Sequence, residues 1–449
     1  MDDDRKNEKI KKMEKFEDIK EFIFNLRNNG SSLSVDRMKK FVSLLGNPQE
    51  NFMSLHVAGT NGKGSVCAFL DSALRANGLN AGLFTSPHLI NLGERVKVNG
   101  KELSEEEIIS YVAKLKELAK DLEGTENYPT FFEIITSVAF CHFSNQKIDV
   151  AVVEVGLGGR LDATNILTPK ISVITSIGKD HTQYLGDTHS KIAYEKAGII
   201  KKSVPVVCGY LDKESKEVIA KVAKEKDAPL YDVRDFFNEN ELPKTSLFGN
   251  YQKKNAAIAL LALRILNEQK VLITDEKKSL EAFKNTRWSA RWEAFTLKNN
   301  AQLILDSSHN EEGAKVLEEN LKTLKEKPVI AVGVLGEERA VPLLKVVAKY
   351  AKKIIFLTPN QPRALSFDEL KICLEKISSE QESEKIKNPE IEKIPPYEFS
   401  TIENLFSEKM YCSKVNANET IICTGSIYLA GEILSTLKGL SKPSLSDLL

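Results

Sequence analysis

The decapeptide His56-Val57-Ala58-Gly59-Thr60-Asn61-Gly62-Lys63-Gly64-Ser65 puts three glycines, a lysine and a serine within reach of one anion. Glycine lets the backbone turn tightly and approach a ligand with no Cβ in the way. Successive N–H groups, helped by the positive end of a following helix, then make a phosphate cradle. Lys63 adds a mobile cation, and Ser65 a hydroxyl able to face a phosphate-bound Mg²⁺. Gly64 stands between that lysine and serine, a departure from the commoner phosphate-loop spelling. A glycine-rich turn alone is as readily structural. Here an apolar strand, Phe52 to Ala58, runs into it and a helix is predicted from Ser65 to Ala76, and the combination reads as a nucleotide site.

Three further predicted strands end in chemistry-bearing segments. Leu79–Phe84 runs into Thr85-Ser86-Pro87-His88. Asp149–Val155 carries Glu154 and continues into Gly156 to Asn165. Lys170–Ile177 is followed by Gly178-Lys179-Asp180-His181. The near-continuous apolar run at Asp149–Val155 marks a sheet covered on both faces. Strands alternating with helices predict a doubly wound, mostly parallel α/β sheet. Ligands of such sheets lie outside the carboxyl ends of the strands, so all four segments should face one crevice. Ser86, Glu154 and His181 are ligands of the kind a divalent cation beside phosphates uses. Taken singly, a serine before proline is a turn residue and a lone histidine a hydrogen-bonding one. Glu154 differs, because a carboxylate in so apolar a strand is costly to bury without a partner.

At 449 residues the chain exceeds the size of a single core. We expect two domains, 1–295 and 296–449, the second a smaller Rossmann-like α/β unit. Its strands are predicted at Ala301–Leu305, Val329–Val334, Lys353–Leu357 and Thr420–Cys423. Lys+Arg and Asp+Glu both total 63, so no basic excess exists to neutralise a nucleic-acid backbone. The six cysteines are scattered without a C-x-x-C pair and read as reduced core residues. Met1–Lys15 is a mix of Asp, Glu and Lys unlike a signal peptide or organellar presequence. No apolar run reaches membrane-span length. A soluble, cytoplasmic protein with no membrane or nucleic-acid partner is expected. Helices are predicted at Phe16–Arg27, Val35–Leu45, Phe131–Phe143 and Ala256–Leu266, and a strand at Glu94–Val98. Ser378–Pro396, rich in Glu, Lys and Ser, reads as a solvated loop or partly ordered insert.

With these residues laid out, the chain resembles folylpolyglutamate synthase and bifunctional dihydrofolate synthase, the folate members of the Mur-type ATP-dependent amide ligases. The likeness runs through His56–Ser65, Thr85–His88, Glu154–Asn165, Glu195–Ile199, Tyr251–Asn255, Asp306–Asn310 and Thr424–Ser426. It implies two α/β domains with ATP between them, and Gly59, Thr60, Asn61, Gly62, Lys63, Gly64 and Ser65 as the phosphate loop. It also implies Mg²⁺ on Ser86, Glu154, His181 and Ser65. Lys196 matches a lysine that the family carbamylates beside a second metal; from the residues alone it reads as a surface or ion-paired lysine. Gln252 and Asn255 look like adenine-side contacts, and Arg291 like a phosphate contact from the hinge. Asp306 and His309 match groups that the smaller domain brings to the nucleotide and the amino acid, with Ser426 similarly placed. Arg160 and Asp162 fall in Gly159–Asn165, a string that looks like the enzymes that also accept dihydropteroate. Two departures stand out: Glu337-Glu338-Arg339 where the family often has Asp-Lys-Asp, and Ser307-Ser308 where Gly-Ala is usual.

The implied reaction is ATP-dependent joining of L-glutamate to a folate or dihydropteroate carboxylate through an acyl phosphate, carried out by a monomer on small molecules. Lys63, Lys196, Asp306 and His309 would be the catalytic groups. Two other readings compete. A Mur-type ligase acting on a cell-wall UDP-sugar peptide would carry a separate N-terminal domain, for which the roughly 50 residues before the loop are too few. A nucleotide-dependent switch would not need Arg291, Asp306 and His309 facing the nucleotide.

Overall fold

The computed structural model describes residues 17–26, 33–385, 394–406 and 412–440. The charged stretch Met1–Lys15 and residues 386–393 of the expected insert lie outside them. The part of that insert before them is helical, because the helix Phe367–Lys385 continues through Ser378.

Two sheets organise the chain. The first holds β1 (Met53–Ala58), β2 (Ala81–Phe84), β3 (Val96–Val98), β4 (Lys101–Glu102), β5 (Val150–Glu154), β6 (Ile171–Ile174), β7 (Val206–Cys208) and β8 (Leu230–Asp232). Their order is β4-β3-β2-β5-β1-β6-β7-β8. β3 pairs antiparallel with both β2 and β4, and the other pairs run parallel, a mixed and mostly parallel sheet. Every residue of β5 is buried, as its apolar run requires of a strand covered on both faces. Helices Lys63–Ala76 and Asn250–Glu268 pack Val66, Phe69, Leu70, Ile258 and Leu261 against one face of β1 and β5. The opposite face is covered by helices 17–26, Val35–Ser43, Glu105–Lys120 and Phe131–Asn145. The expected strand over Glu94–Val98 is half a strand: Leu92–Arg95 is a 3₁₀ turn, because the Glu94 carboxylate accepts from the N–H groups of Leu89, Ile90 and Asn91.

The second sheet holds β9 (Arg291–Thr296), β10 (Gln302–Asp306), β11 (Val329–Val332), β12 (Lys353–Phe356), β13 (Tyr397–Phe399) and β14 (Thr420–Thr424). The order is β13-β12-β11-β14-β10-β9, parallel except for β9. β9 pairs with β10 from Arg291 onward, so the chain joins the second sheet a few residues before the 295/296 division. Among the described residues no helix is long and apolar enough to cross a membrane. All six cysteines are free, five of them buried.

This topology positions the site. In the first sheet β2, β5, β1 and β6 are consecutive neighbours, so the four segments leaving their carboxyl ends stand side by side. In the second, β11, β14 and β10 are neighbours, which aligns the segments after Val332, Thr424 and Asp306. The two rows face each other. Asn61 and Asn310 exchange side-chain amide hydrogen bonds of 3.0 and 3.2 Å between them.

Candidate active site

The phosphate loop is braced from behind. Thr60 N–H donates to Ser176 O at 2.8 Å and Asn61 N–H to Ser176 Oγ at 2.9 Å. Those two amides are therefore engaged with the segment after β6. The N–H groups left for an anion are those of Lys63, Gly64 and Ser65, which a first helical turn leaves without an intrahelical partner. The helix starts at Lys63, two residues earlier than its apolar pattern suggests, because Gly62 caps it in the left-handed region at φ +85°. Gly59 has φ +154°, and a Cβ there would lie 1.9 Å from Thr175 Oγ1. Gly59→Ala is expected to lower stability by about 1–3 kcal/mol, read as a lower urea midpoint than that of wild type.

A cavity of about 440 Å³ lies between the two rows of segments. Lys63, Ser65, Ser86, Glu154, His181 and Lys196 line it from the first domain, and Arg291, Asp306, His309 and Ser426 from the second sheet's side. A second cavity of about 460 Å³ adjoins it, sharing Gly64, Ser86, Glu154 and Arg291 and walled by Trp288. Both are within the size range of ordinary ligand pockets.

Glu154 is 4% exposed. Its Oε2 accepts from Ser86 N at 3.1 Å, and Oε1 is 4.0 Å from Lys63 Nζ. Burial raises its carboxyl pKa, with the Lys63 charge and the Ser86 N–H working the other way. Lys63 Nζ also donates to Thr60 O at 3.1 Å. The His181 imidazole is pushed down to about 4 by burial, against the pull of Asp180. Among the described residues no three His, Cys, Asp or Glu side chains form a metal site by themselves. A cation here would need the hydroxyls of Ser65 and Ser86 and phosphate oxygens as well, which is how Mg²⁺ is usually held. The donor set fits that ion.

Lys196 is buried, and its Nζ donates to Gly59 O at 2.9 Å. Burial, then the Lys63 charge, lower its pKa to about 7, against Asp180 and Asp162. It is not a surface lysine. Asp306 accepts from Ser308 N at 2.9 Å, and His309 Nδ1 donates to Ser307 O at 2.8 Å. Ser426 caps the helix Ile427–Lys438, its Oγ accepting from Tyr428 N at 3.2 Å.

Three residues stand elsewhere than expected. Gln252 and Asn255 belong to the first turns of the helix Asn250–Glu268, whose start lies six residues before the predicted Ala256. Gln252 Nε2 donates to Ser65 Oγ at 3.2 Å and Asn255 Nδ2 to Gln252 Oε1 at 3.1 Å, so the pair backs the loop and lines neither cavity. Arg160 also lines neither: it bonds Glu195 Oε1 through Nη2 at 2.9 Å and lies over the Tyr194 ring. Asp162 does reach the cavity wall, yet its carboxylate holds the local turn, accepting from Leu157 N at 2.8 Å and Thr164 N at 3.0 Å.

Asp180, the neighbour of the candidate ligand His181, also lines the cavity and has no role in the sequence-based assignment. Burial opposes its ionisation, but the His309 contact, followed by the charges of His181 and Arg339, holds the carboxyl well below the usual range. The signal available was its place beside His181, at the carboxyl end of a sheet strand. Arg95, 7% exposed and on the cavity wall, had no such signal, being in a segment read as an ordinary strand.

Comparison with known proteins places this geometry. Residues 57–263 match the Mur ligase middle domain. The dihydrofolate synthase/folylpolyglutamate synthase of Bacillus subtilis is 34% identical over 447 residues, covering 94% of this chain and 99% of that one. E. coli FolC in complex with DHPP and ADP superposes with a TM-score of 0.78 at 27% identity, over 94% of this chain and 98% of that one. A bifunctional folylpolyglutamate synthase/dihydrofolate synthase with Mn, AMPPNP and L-glutamate bound gives 0.76 at 29% identity, over 92% and 96%. Likeness of that extent to the Bacillus enzyme, over nearly all of both chains, makes this protein a member of the folylpolyglutamate synthase/dihydrofolate synthase family of Mur-type ligases.

Proposed function

We propose that the chain is an ATP-dependent ligase that joins L-glutamate to a folate carboxylate through an acyl phosphate, and that it accepts dihydropteroate too. One observation carries the reading: the loop lysine and Glu154 of one domain share a cavity with Asp306 and His309 of the other. A near full-length relative named for both activities supports both halves. The UDP-sugar and switch alternatives find no such support.

In the first step an acceptor carboxylate oxygen attacks the γ-phosphorus, the bond to the β,γ-bridging oxygen breaks and ADP leaves. Lys63 and the amides of Lys63, Gly64 and Ser65 stabilise the charge spreading over the transferred group. Arg291 adds a cation from the hinge. Mg²⁺, when bound, neutralises phosphate oxygens, and Ser65, Ser86, Glu154 and His181 are the residues that would hold it. In the second step the glutamate amine attacks the acyl carbon, phosphate departs and the amine's extra proton is released. Asp306, His309 and Ser426 hold the nucleotide and the incoming amino acid from the second domain. Gln252 and Asn255 act through Ser65 and Gly62 by keeping the loop in shape, and Asp162 does the same for the turn after β5. We read the protein as a cytoplasmic monomer using small molecules only.

Incubation with ATP, L-glutamate and either dihydropteroate or tetrahydrofolate should give products heavier by one glutamate residue, identified by mass, with one phosphate released per amide. Activity with tetrahydrofolate but none with dihydropteroate would remove the second half. No amide from either would remove the reading altogether.

A further inference from the structure

Close to the cavity, the contact between the domains centres on Asp180. Its side chain is 11% exposed and receives three groups from the second domain. The Arg339 guanidinium donates to Oδ1, Asn310 Nδ2 donates to Oδ2 at 3.2 Å, and His309 Nε2 lies 3.6 Å from Oδ2. The same carboxylate accepts from the His181 N–H at 2.9 Å. Asn310 in turn pairs with Asn61 on the phosphate loop and caps the helix Glu311–Leu321 through Gly313 N. One carboxylate of the first domain is thus tied to the loop, to the cavity histidine of the second domain and to Arg339.

Arg339 is in the first turn of the helix Glu337–Tyr350, in the stretch where this chain departs from the Asp-Lys-Asp often seen in the family it resembles. Its side chain is 17% exposed. A buried carboxylate without a cation is costly, and a planar guanidinium meets carboxylate oxygens in a fixed geometry. The attraction exists only while the domains are together, because Asp180 and Arg339 stand 159 positions apart in different domains.

We propose that Arg339 is a positioning residue that clamps Asp180, and through it keeps His309 and Asn310 aligned over a closed cavity. The inference rests on the ligase reading, since closure matters there by keeping water from the acyl phosphate. With the clamp cut, the intermediate meets water, and phosphate is released without amide.

The test uses the full chain as Arg339→Met and Arg339→Lys. Arg339→Met should have a larger radius of gyration than wild type by small-angle scattering. Its kcat/KM for glutamate should fall by up to about 10²-fold, with more than one phosphate released per amide. Arg339→Lys should stay closer to wild type in all three. The inference is overturned by an Arg339→Met protein as compact as wild type, by one that still releases a single phosphate per amide, or by an Arg339→Lys protein no better than Arg339→Met. The scattering comparison needs no catalysis. A wild type that makes no amide would therefore end the ligase reading while leaving the clamp to be judged by its shape.

Discussion

Replacing Lys63 by alanine is expected to lower kcat by about 10²–10³-fold, with the melting temperature close to that of wild type. The split follows from where the side chain sits. Its protein contacts are the Thr60 carbonyl at 3.1 Å and the Glu154 carboxylate at 4.0 Å, neither of them core packing. The loop is shaped by other groups: the Thr60 and Asn61 amides on Ser176, the Gln252 amide on Ser65, and Lys196 on Gly59 O. Removing the ammonium therefore takes a charge from the cavity and leaves the cradle standing. Its loss is felt most where negative charge moves from the γ-phosphoryl group toward the leaving ADP. ATP affinity should fall less than kcat, because the backbone amides still meet the ground-state phosphates. Lys63→Arg keeps the charge on a longer, planar head and is expected to fall between the two. Steady-state phosphate release, nucleotide titration and thermal melts decide it. A Lys63→Ala protein ligating at near-normal rate would remove the lysine from the chemistry.

The parts of this molecule legible from sequence are those whose signal is local. β5 announces itself because both its faces are covered, which forces a run of apolar residues. The carboxyl-end rule then collects Ser86, Glu154 and His181 without any knowledge of tertiary contacts. β9 escaped because Arg291-Trp292-Glu293-Ala294 is an edge strand with only Trp292 buried, so no apolar run marks it. β8 and β13 are three-residue edge strands, too short to carry a period. Gln252 and Asn255 read as loop residues because their polarity hides that they are buried against Ser65 and Gly62 at the start of a helix. Arg160 shows what a motif cannot say. Its neighbours in sequence reach the cavity, but its side chain turns to Glu195, a partner 35 residues on. Asp180 and Arg339 are the extreme case, since a pair 159 residues apart leaves no pattern in either segment. The burial of Lys196 is equally non-local: the helix His189–Ala197 packs it under the loop, a placement its own neighbours in sequence do not encode.

That burial sets up the last expected result. Lys196 has its pKa lowered from 10.5 to about 7, by burial first and by Lys63 next. Between those two values the unfolded chain holds a proton that the folded chain has given up. Stability therefore rises with pH across that window, and below about 7, where both states are protonated, this residue adds no further dependence. The whole effect is at most about 5 kcal/mol. Lys196→Met removes it, so the variant's urea midpoint should climb less than that of wild type between pH 7 and pH 10. The lowered pKa favours the free amine of Lys196, which is the form that can react with CO₂. In the proposed carbamylation its nitrogen would attack the carbon, a proton would leave to solvent, and the carbamate would carry a carboxylate into a cavity that already holds Lys63 and Arg291. Lys196→Met should lose about 10–100-fold in activity and gain nothing from bicarbonate. Wild type freed of CO₂ should slow and recover when bicarbonate is returned, and ¹³C-bicarbonate should give a carbamate resonance that the variant lacks. An indifferent wild type with no such resonance would leave Lys196 as a brace for Gly59 and nothing more. In that case Lys196→Met would show its loss as a deformed loop, with weakened ATP binding in place of a slowed chemical step.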